Sequence, residues 1–464
     1  MKLSRLMLAG TSGDCGKTLV ALGLAAAWRR EGIPVTPFKK GPDYIDPAWL
    51  SLAAGRVTRN LDTWMMDPKV VLRSFTQNAN SDGINLIEAN RGLYDGEDAQ
   101  GTHSSAELSK LLRTPVILII PAAKVTRTVA AIALGIKVLD PQVEIAGVVL
   151  NRVATSRQES VIRQAVEGEA GLPVLGSIPR IKDDLLPSRH LGLVTPQEHE
   201  RARRVIASTA DIVRQSVDIV KVQTIASNAD SLEAPEQYRP SAGSSARGLR
   251  IGIFQSPAFT FYYPENLEAI DQCGATRVPI DPLQDRMLPN LDALYIGGGF
   301  PETHAASLAA NSEFRNSVAQ AAQRGLPVWA ECGGLMFLSR ALHWQGSRYP
   351  MAGVFPVDVT LGNTPVGHGY EEVLVDRPNP FVDAGTTLRG HEFHYSRVEG
   401  EEQLNAVFEV RRGTGLGNGR DGMVMHNVLA SYLHLHVLGT PEWAGWLVGA
   451  AARFNHSTYQ EKQA

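Results

Sequence analysis

Two stretches of the sequence carry residues whose types and spacing can do chemistry. In the first, Gly10, Thr11, Ser12, Gly13, Asp14, Cys15, Gly16, Lys17 and Thr18 follow a short apolar run and lead into a segment with helical spacing of leucines. Glycines there let backbone N–H groups turn around phosphate oxygens, and a helix N-terminus adds partial positive charge. Lys17 can reach the β- and γ-phosphates of a bound nucleotide, and the Thr18 hydroxyl can bind Mg²⁺. Five residues rather than the usual four separate Gly10 from Gly16, but the Gly-Lys-Thr end that meets the terminal phosphates is intact. Cys15 reads as a small filler of this loop. In the second stretch, LPVWAECGGLMFL, a Val/Trp strand runs straight into Cys332, and Gly333 and Gly334 precede an apolar helix-like run. That is the pattern of a nucleophile lifted out of a sheet on a strand-to-helix elbow, where the helix N-terminus is expected to lower the thiol pKa. A base is still needed, because an ordinary cysteine is about 3% thiolate at neutral pH. Downstream, His434 and His436 alternate with leucines in SYLHLH and are expected on one face of a strand; spacing does not choose between them. Gly297, Gly298 and Gly299 in LYIGGGFPE are expected to supply oxyanion N–H groups, so Gly298, Gly299 and His436 count among candidate substrate contacts.

Further candidates end the strands near the phosphate loop. Ligands of open α/β sheets bind beyond the carboxyl ends of the strands. There the motif FKKGPDYIDP places Lys39, Asp43, Tyr44 and Asp46, and EANRGLYDG places Glu88, Tyr94 and Asp95. Four carboxylates beside a triphosphate would repel it unless metal ions stood between, so Mg²⁺ ligands are expected among them. Thr18, Asp43 and Glu88 are the expected metal set, and Tyr44 and Tyr94 are expected to touch substrate. Asp62, Asp67 and Asp98 read as surface or capping residues.

The elements that must hold these groups are legible as short Val/Ile/Leu runs separated by helix-length segments: LSRLMLA, IPVTPF, INLIEA, PVILII and EIAGVVL. Such runs imply a doubly wound parallel sheet covered by helices on both faces. The 464 residues and 44% hydrophobic content suit two α/β domains. A Ser/Ala/Gly/Pro-rich stretch without apolar periodicity, residues 225–248, divides an expected first domain, 1–224, from an expected second domain, 249–464. The net charge of −3, with no long block of one sign, argues against a nucleic-acid or anionic-membrane surface. Three cysteines without a Cys-x-x-Cys pair argue for a reducing compartment. No apolar run reaches membrane-spanning length, so the expected location is the cytoplasm.

Taken together these strings, with VLGSIPR, LPSRHLGLV, FTFYYPENLE, RGHEFHYS and NVLASYLHLH, closely resemble the cobyrinic acid a,c-diamide synthase family over nearly the whole chain. The resemblance implies a dethiobiotin-synthetase-like P-loop domain followed by a class I glutamine amidotransferase domain, a soluble enzyme and a possible homodimer. It implies ATP- and L-glutamine-dependent amidation of tetrapyrrole carboxylates through an acyl phosphate. Cys332 would be the glutaminase nucleophile and His434 its base. Asp43, Asp46, Glu88 and Asp95 would handle metal, substrate and intermediate, beside Gly10 to Gly13, Gly16, Lys17, Thr18 and Lys39 at the nucleotide. Where ordinary class I glutaminases carry Glu two residues after the histidine, this chain has His436, so the third triad place is absent or replaced. The fourth strand ends in Pro121 rather than the family's Asp, and EANRG replaces a Glu-Gly start. These departures leave open cobyrinic or hydrogenobyrinic acid as substrate, with siroheme or (nickel-)sirohydrochlorin as the alternative and a non-catalytic ATP-binding regulator as a more distant one. His391 and His394 are expected either to touch the tetrapyrrole or to serve the core.

Overall fold

The computed structural model describes residues 1–181, 188–189, 192–199, 201–233, 246–400 and 405–461. The chain forms two compact units, Met1–Tyr238 and Arg239–Ala464, both α/β. In the first, strands β1 (Arg5–Gly10), β2 (Val35–Lys40), β3 (Arg59–Leu61), β4 (Ile84–Gly92), β5 (Val116–Pro121), β6 (Ile145–Val153) and β7 (Val174–Pro179) make one parallel sheet in the order β3-β2-β4-β1-β5-β6-β7. Strands as apolar as Val116–Ile120 are buried on both faces, which is why helices must cover the sheet on both sides. Helix α1 (Lys17–Arg30) buries Val20, Leu22, Leu24 and Trp28, and α2 (Ile45–Ala54) buries Trp49 and Leu50. The chain leaves β1 on one side for β2 to β4 and continues on the other with β5 to β7, so the direction of winding changes at β1. Its carboxyl end is therefore the crevice where a ligand is expected. Register brings the chemistry to that end: Glu88 of β4 lies beside Leu8 of β1 and beside Lys39 of β2.

At the opposite end of β1 the fully buried Arg5 guanidinium donates to the carbonyls of Leu3, Leu112, Arg113 and Asp230 at 2.6–2.9 Å. Arg5→Met keeps the packing of the stem and orphans these acceptors, so the first unit is expected to lose about 3 kcal/mol of unfolding free energy. Urea denaturation followed by Trp fluorescence reads this. The helix Ile219–Ser227 runs through the first residues of the expected linker, because Asp218 caps its N-terminus by accepting from the Lys221 N–H. Residues 234–245 of that linker, and residues 186, 187, 190 and 191 of the LPSRHLGLV segment, lie outside the described residues. A two-stranded ribbon, β8 (Ser188–Arg189) with β9 (Gly192–Leu193), is described within that segment.

The second unit begins as the α/β rhythm suggests. Strands β10 (Arg250–Phe254), β11 (Thr276–Ile280), β12 (Ala293–Ile296) and β13 (Val328–Glu331) pair in parallel in the order β11-β10-β12-β13. A small sheet of β14 (Ala341–Trp344), β15 (Ser347–Pro350), β16 (Val357–Leu361) and β19 (Ser396–Gly400) stands apart from it. The main sheet is extended by β17 (Gly367–Val375), β18 (Thr387–His394), β20 (Ala406–Arg412), β21 (Arg420–Met425), β22 (Val428–Ser431) and β23 (His434–Leu435). From β22 onward this extension is antiparallel, β22-β21-β20-β17-β18-β23, which the α/β rhythm does not anticipate. Alternation along β12 and β13 feeds two cores. Leu294, Ile296, Val328 and Ala330 pack with Phe254, Phe314 and Phe337, while Tyr295 and Trp329 pack with Phe381 and Trp443 on the other face. Among the described residues no helix is long and apolar enough to cross a membrane.

Candidate functional site

In the first unit the loop between β1 and α1 places Gly10, Thr11, Ser12, Gly13 and Gly16 at the carboxyl end of the sheet. Thr11, Ser12 and Gly13 form its outward arc, and Cys15 is buried beneath it. Gly16 has φ +99°, and a Cβ there would stand 2.1 Å from the Asn151 amide nitrogen. That nitrogen donates to the Cys15 carbonyl at 2.9 Å, and Arg152 donates to the Asp14 carbonyl at 3.0 Å. The end of β6 thus braces the loop, a contribution of Asn151 that no local motif announces. Lys17 Nζ crosses the loop and donates to the carbonyls of Ser12 at 2.9 Å and Arg91 at 2.7 Å. Gly16→Ala must strain the left-handed turn and displace Asn151. Nucleotide affinity is expected to fall at least about tenfold by calorimetry.

Beside this loop, Lys39 gathers the acids. Its ammonium is bonded to Asp46, lies 3.1 Å from Glu88 Oε1 and 3.6 Å from Asp43 Oδ2, and is 2% exposed. Burial alone would favour neutral Lys39, but Asp46, Glu88 and Asp43 outweigh it and hold the ammonium form. Burial likewise pushes Glu88 up against the pull of Lys39, and it pushes Asp43, with help from Asp46, to about 7. Thr18 Oγ1 donates to Glu88 Oε1 at 2.7 Å. Asp43, expected with Thr18 and Glu88 as a metal ligand, turns elsewhere. One of its oxygens faces Lys39 and the other caps α2 by accepting from the N–H groups of Ile45 and Asp46. Tyr44 is half-buried and is the N-cap residue of α2. Among the described residues no three His, Cys, Asp or Glu side chains converge as a metal cage.

Two expected residues have their polar groups engaged by neighbouring backbone. Asp95 Oδ2 accepts from the Gly92 N–H at 2.8 Å and closes the turn after β4. The Tyr94 hydroxyl donates to the carbonyl of Ile136, near the end of the helix Thr128–Leu139. Of the acids left aside, Asp67 and Asp98 do cap turns, whereas Asp62 is fully buried, accepts from the Trp64 and Met65 N–H groups and opposes the buried Lys40.

In the second unit Cys332 sits at the expected elbow, with φ 45° and ψ −96°. Its N–H donates to Ser431 at the end of β22, its carbonyl accepts from Met336, and Sγ lies 3.9 Å from the Phe393 carbonyl. The expected lowering of the thiol pKa is reversed. Burial raises it first, then the charges of Glu302, Glu331 and Asp421, and the favourable Gly333 N–H is outweighed. Ionisation of Cys332 therefore needs a base that takes the proton as the bond to carbon forms.

His434, in β23, is 2% exposed. Its Nδ1 lies 3.5 Å from Glu331 Oε2, while the other edge faces Gly298: a Cβ on that glycine would lie 2.6 Å from Cε1 and 3.4 Å from Nε2. The His391 ring stacks on His434 with centroids 4.8 Å apart and 16° between planes. Burial, then His434 and His436, holds His391 neutral. Gly297 is excluded as an oxyanion donor because its N–H is taken by the Tyr262 hydroxyl. The amide nitrogen of Gly299 would be 3.0 Å from a Cβ on Gly333, which brings the glycine loop against the elbow. His436 is a further correction. The strand stops at Leu435, and His436 is fully buried, with Nδ1 accepting from the Leu438 N–H, Nε2 3.6 Å from Glu265 and its ring against Tyr263. It supports the core rather than meeting substrate. His391 and His394 belong to this unit's interior too, His394 stacking on Tyr432 and bonding to Glu392. Glu331 escaped the sequence reading, although its signal was a carboxylate inside a buried strand, adjacent to Cys332.

A phosphate-binding loop on a parallel sheet in the first unit, and an elbow cysteine and a buried histidine that both border the Gly298–Gly299 loop or Glu331 in the second, agree with a glutamine amidotransferase fused to a nucleotide-binding domain, the class that the family matches show. Residues 6–194 match the CobQ/CobB/MinD/ParA nucleotide binding domain and residues 250–442 the CobB/CobQ-like glutamine amidotransferase domain. The chain is 40% identical to the cobyrinate a,c-diamide synthase of Magnetococcus marinus over 96% of its own length and 97% of that protein. It is 39% identical to the Archaeoglobus fulgidus protein of that name, over 94% of this chain and 95% of that one. The Methanosarcina acetivorans protein of that name is 37% identical over 98% and 97% of the two chains. The chain belongs to the cobyrinate a,c-diamide synthase family.

Proposed function

We propose that this protein converts the a and c acetate carboxylates of cobyrinic or hydrogenobyrinic acid into amides, with ATP and L-glutamine as co-substrates. The observation that carries this is the 40% identity with a cobyrinate a,c-diamide synthase across 96% of the chain. The presence of both reactive centres supports it. A carboxylate is a poor electrophile, so its oxygen attacks the γ-phosphorus of ATP, ADP leaves, and ammonia then displaces phosphate from the acyl phosphate. Lys17 stabilises the migrating phosphoryl group. Lys39 orients Asp46 and Glu88 and offsets part of their charge.

The acids outnumber the ammonium they surround, so the rim suits a further cation. Thr18 Oγ1 and Glu88, whose Oε2 is buried without a hydrogen-bond partner, are hard oxygen donors of the kind Mg²⁺ takes together with phosphate oxygens and water. Mg²⁺ bound there would supply charge neutralisation at the phosphates. In the second unit the Cys332 sulfur adds to the side-chain amide carbon of glutamine as His434 accepts the thiol proton. Gly298 and Gly299 N–H groups face the developing oxyanion. His434 returns the proton to the leaving ammonia, and water hydrolyses the glutamyl thioester. We place the enzyme in the cytoplasm, where the free thiols of Cys15, Cys273 and Cys332 stay reduced.

The test incubates the protein with ATP, Mg²⁺ and glutamine against cobyrinic acid, hydrogenobyrinic acid, sirohydrochlorin and siroheme in parallel. Exchange of OH for NH₂ by mass spectrometry is expected on the first pair. Amidation confined to the second pair would overturn the substrate, and amidation of none would overturn the ligase.

A further inference from the structure

Glu331 stands where the alternation of β13 asks for an apolar side chain. Trp329, on the same face, packs into the core with Tyr295 and Trp443, and Glu331 beside it is fully buried. A carboxyl group taken from water at such a place is costly unless its oxygens are satisfied and its presence does something an apolar residue could not. The oxygens are satisfied in a way that fixes their plane. Trp329 Nε1 donates to Oε1 at 3.3 Å, the Leu435 N–H approaches Oε1 at 3.5 Å, and the Tyr295 hydroxyl donates to Oε2 at 3.1 Å. So held, Oε2 lies 3.5 Å from Nδ1 of His434.

We infer that Glu331 is the positioning residue of the glutaminase centre: it accepts the Nδ1–H of His434, so that the Nε2 lone pair faces the Cys332 thiol. The opposite edge of the imidazole already lies along Gly298, on the side of the glycine loop, and the stacked His391 limits rotation of the ring. A carboxylate behind the base selects the tautomer and stabilises the imidazolium formed when the thiol proton is transferred. Here that carboxylate comes from the residue just before the nucleophile. The place two residues after the base holds His436, which is engaged by Glu265, Leu438 and Tyr263. The inference rests on the proposed roles of Cys332 and His434.

Glu331→Gln keeps the shape but can present an amide N–H to Nδ1, which favours the wrong tautomer. Glutamine hydrolysis is expected to lose about 10²- to 10⁴-fold in kcat with KM for glutamine within about threefold. Ammonia-supported amidation should stay at the wild-type rate. Because Glu331 acts through the imidazole, Glu331→Gln in a His434→Asn background should change the residual rate by less than about twofold. A wild-type kcat in Glu331→Gln, or the same loss in both backgrounds, would overturn the inference. If Glu331→Gln also loses ammonia-supported turnover, Tyr295→Phe decides: it removes one donor to Oε2, and kcat should fall about fivefold. No change there overturns the inference. Glutamine-supported turnover surviving in Cys332→Ala or His434→Asn would instead overturn the underlying assignment.

Discussion

Cys332→Ala is expected to eliminate glutamine-supported amidation, by on the order of 10⁴-fold or more, while ammonium chloride continues to support it. In the proposed mechanism the sulfur is the atom that bonds to the glutamine carbon, and the neighbouring hydroxyls of Tyr432 and Ser431 are engaged with Ser396 and Leu433. The backbone at Cys332 has φ 45°, and alanine inherits that strain without adding volume, so the elbow and the helix Gly333–Leu338 keep their places. Added ammonia needs no thioester. Its free-base fraction rises with pH, so the ammonia-supported rate of the variant should climb with pH at fixed total ammonium. Steady-state assays with the two nitrogen sources read both parts. Loss of both activities in a folded variant would show that Cys332 serves something other than glutamine hydrolysis.

The parts of the site that were legible in the sequence are those whose chemistry is contiguous along the chain. Gly16, Lys17 and Thr18 act through one turn of backbone, and Cys332 is thrown from its sheet by its own strand-to-helix turn, so each announces itself locally. Lys39 and Glu88 were legible as strand ends because parallel register sends all such ends to one rim. What escaped depends on direction rather than position. Asp43 and Asp95 sit where expected, but each spends oxygens on nearby N–H groups, a choice between capping and ligation that sequence cannot make. His436 looked like a partner of His434 because the leucines alternate, yet the strand ends between them. The elevated Cys332 pKa comes partly from Glu302 and Asp421, distant in sequence from the elbow, so its sign was open to the fold alone. The antiparallel half of the second sheet was hidden for a similar reason: its half-exposed strands lack the continuous apolar runs that mark the parallel ones.

Lys17→Met is expected to remove amidation with either nitrogen source while glutamine hydrolysis at the second centre persists. Methionine nearly preserves the stem, which is buried along the loop, so what is lost is the charge. In place, Nζ is bracketed by the carbonyls of Ser12 and Arg91, one from the loop after β1 and one from the end of β4, so it is aimed at the crevice those strands share. Asp43, Asp46 and Glu88 surround the Lys39 ammonium, so Lys39 is already engaged and does not stand in for Lys17 at the triphosphate. Two unit charges about 4 Å apart at an effective dielectric of about 20 interact by about 4 kcal/mol. At about 1.4 kcal/mol per decade that is roughly a thousandfold in rate, the scale of losses when a charge stabilising phosphoryl transfer is removed. ADP release measured with ammonia as nitrogen source isolates this step from the glutaminase. Normal ADP release in Lys17→Met would move phosphoryl transfer away from the Gly10–Thr18 loop.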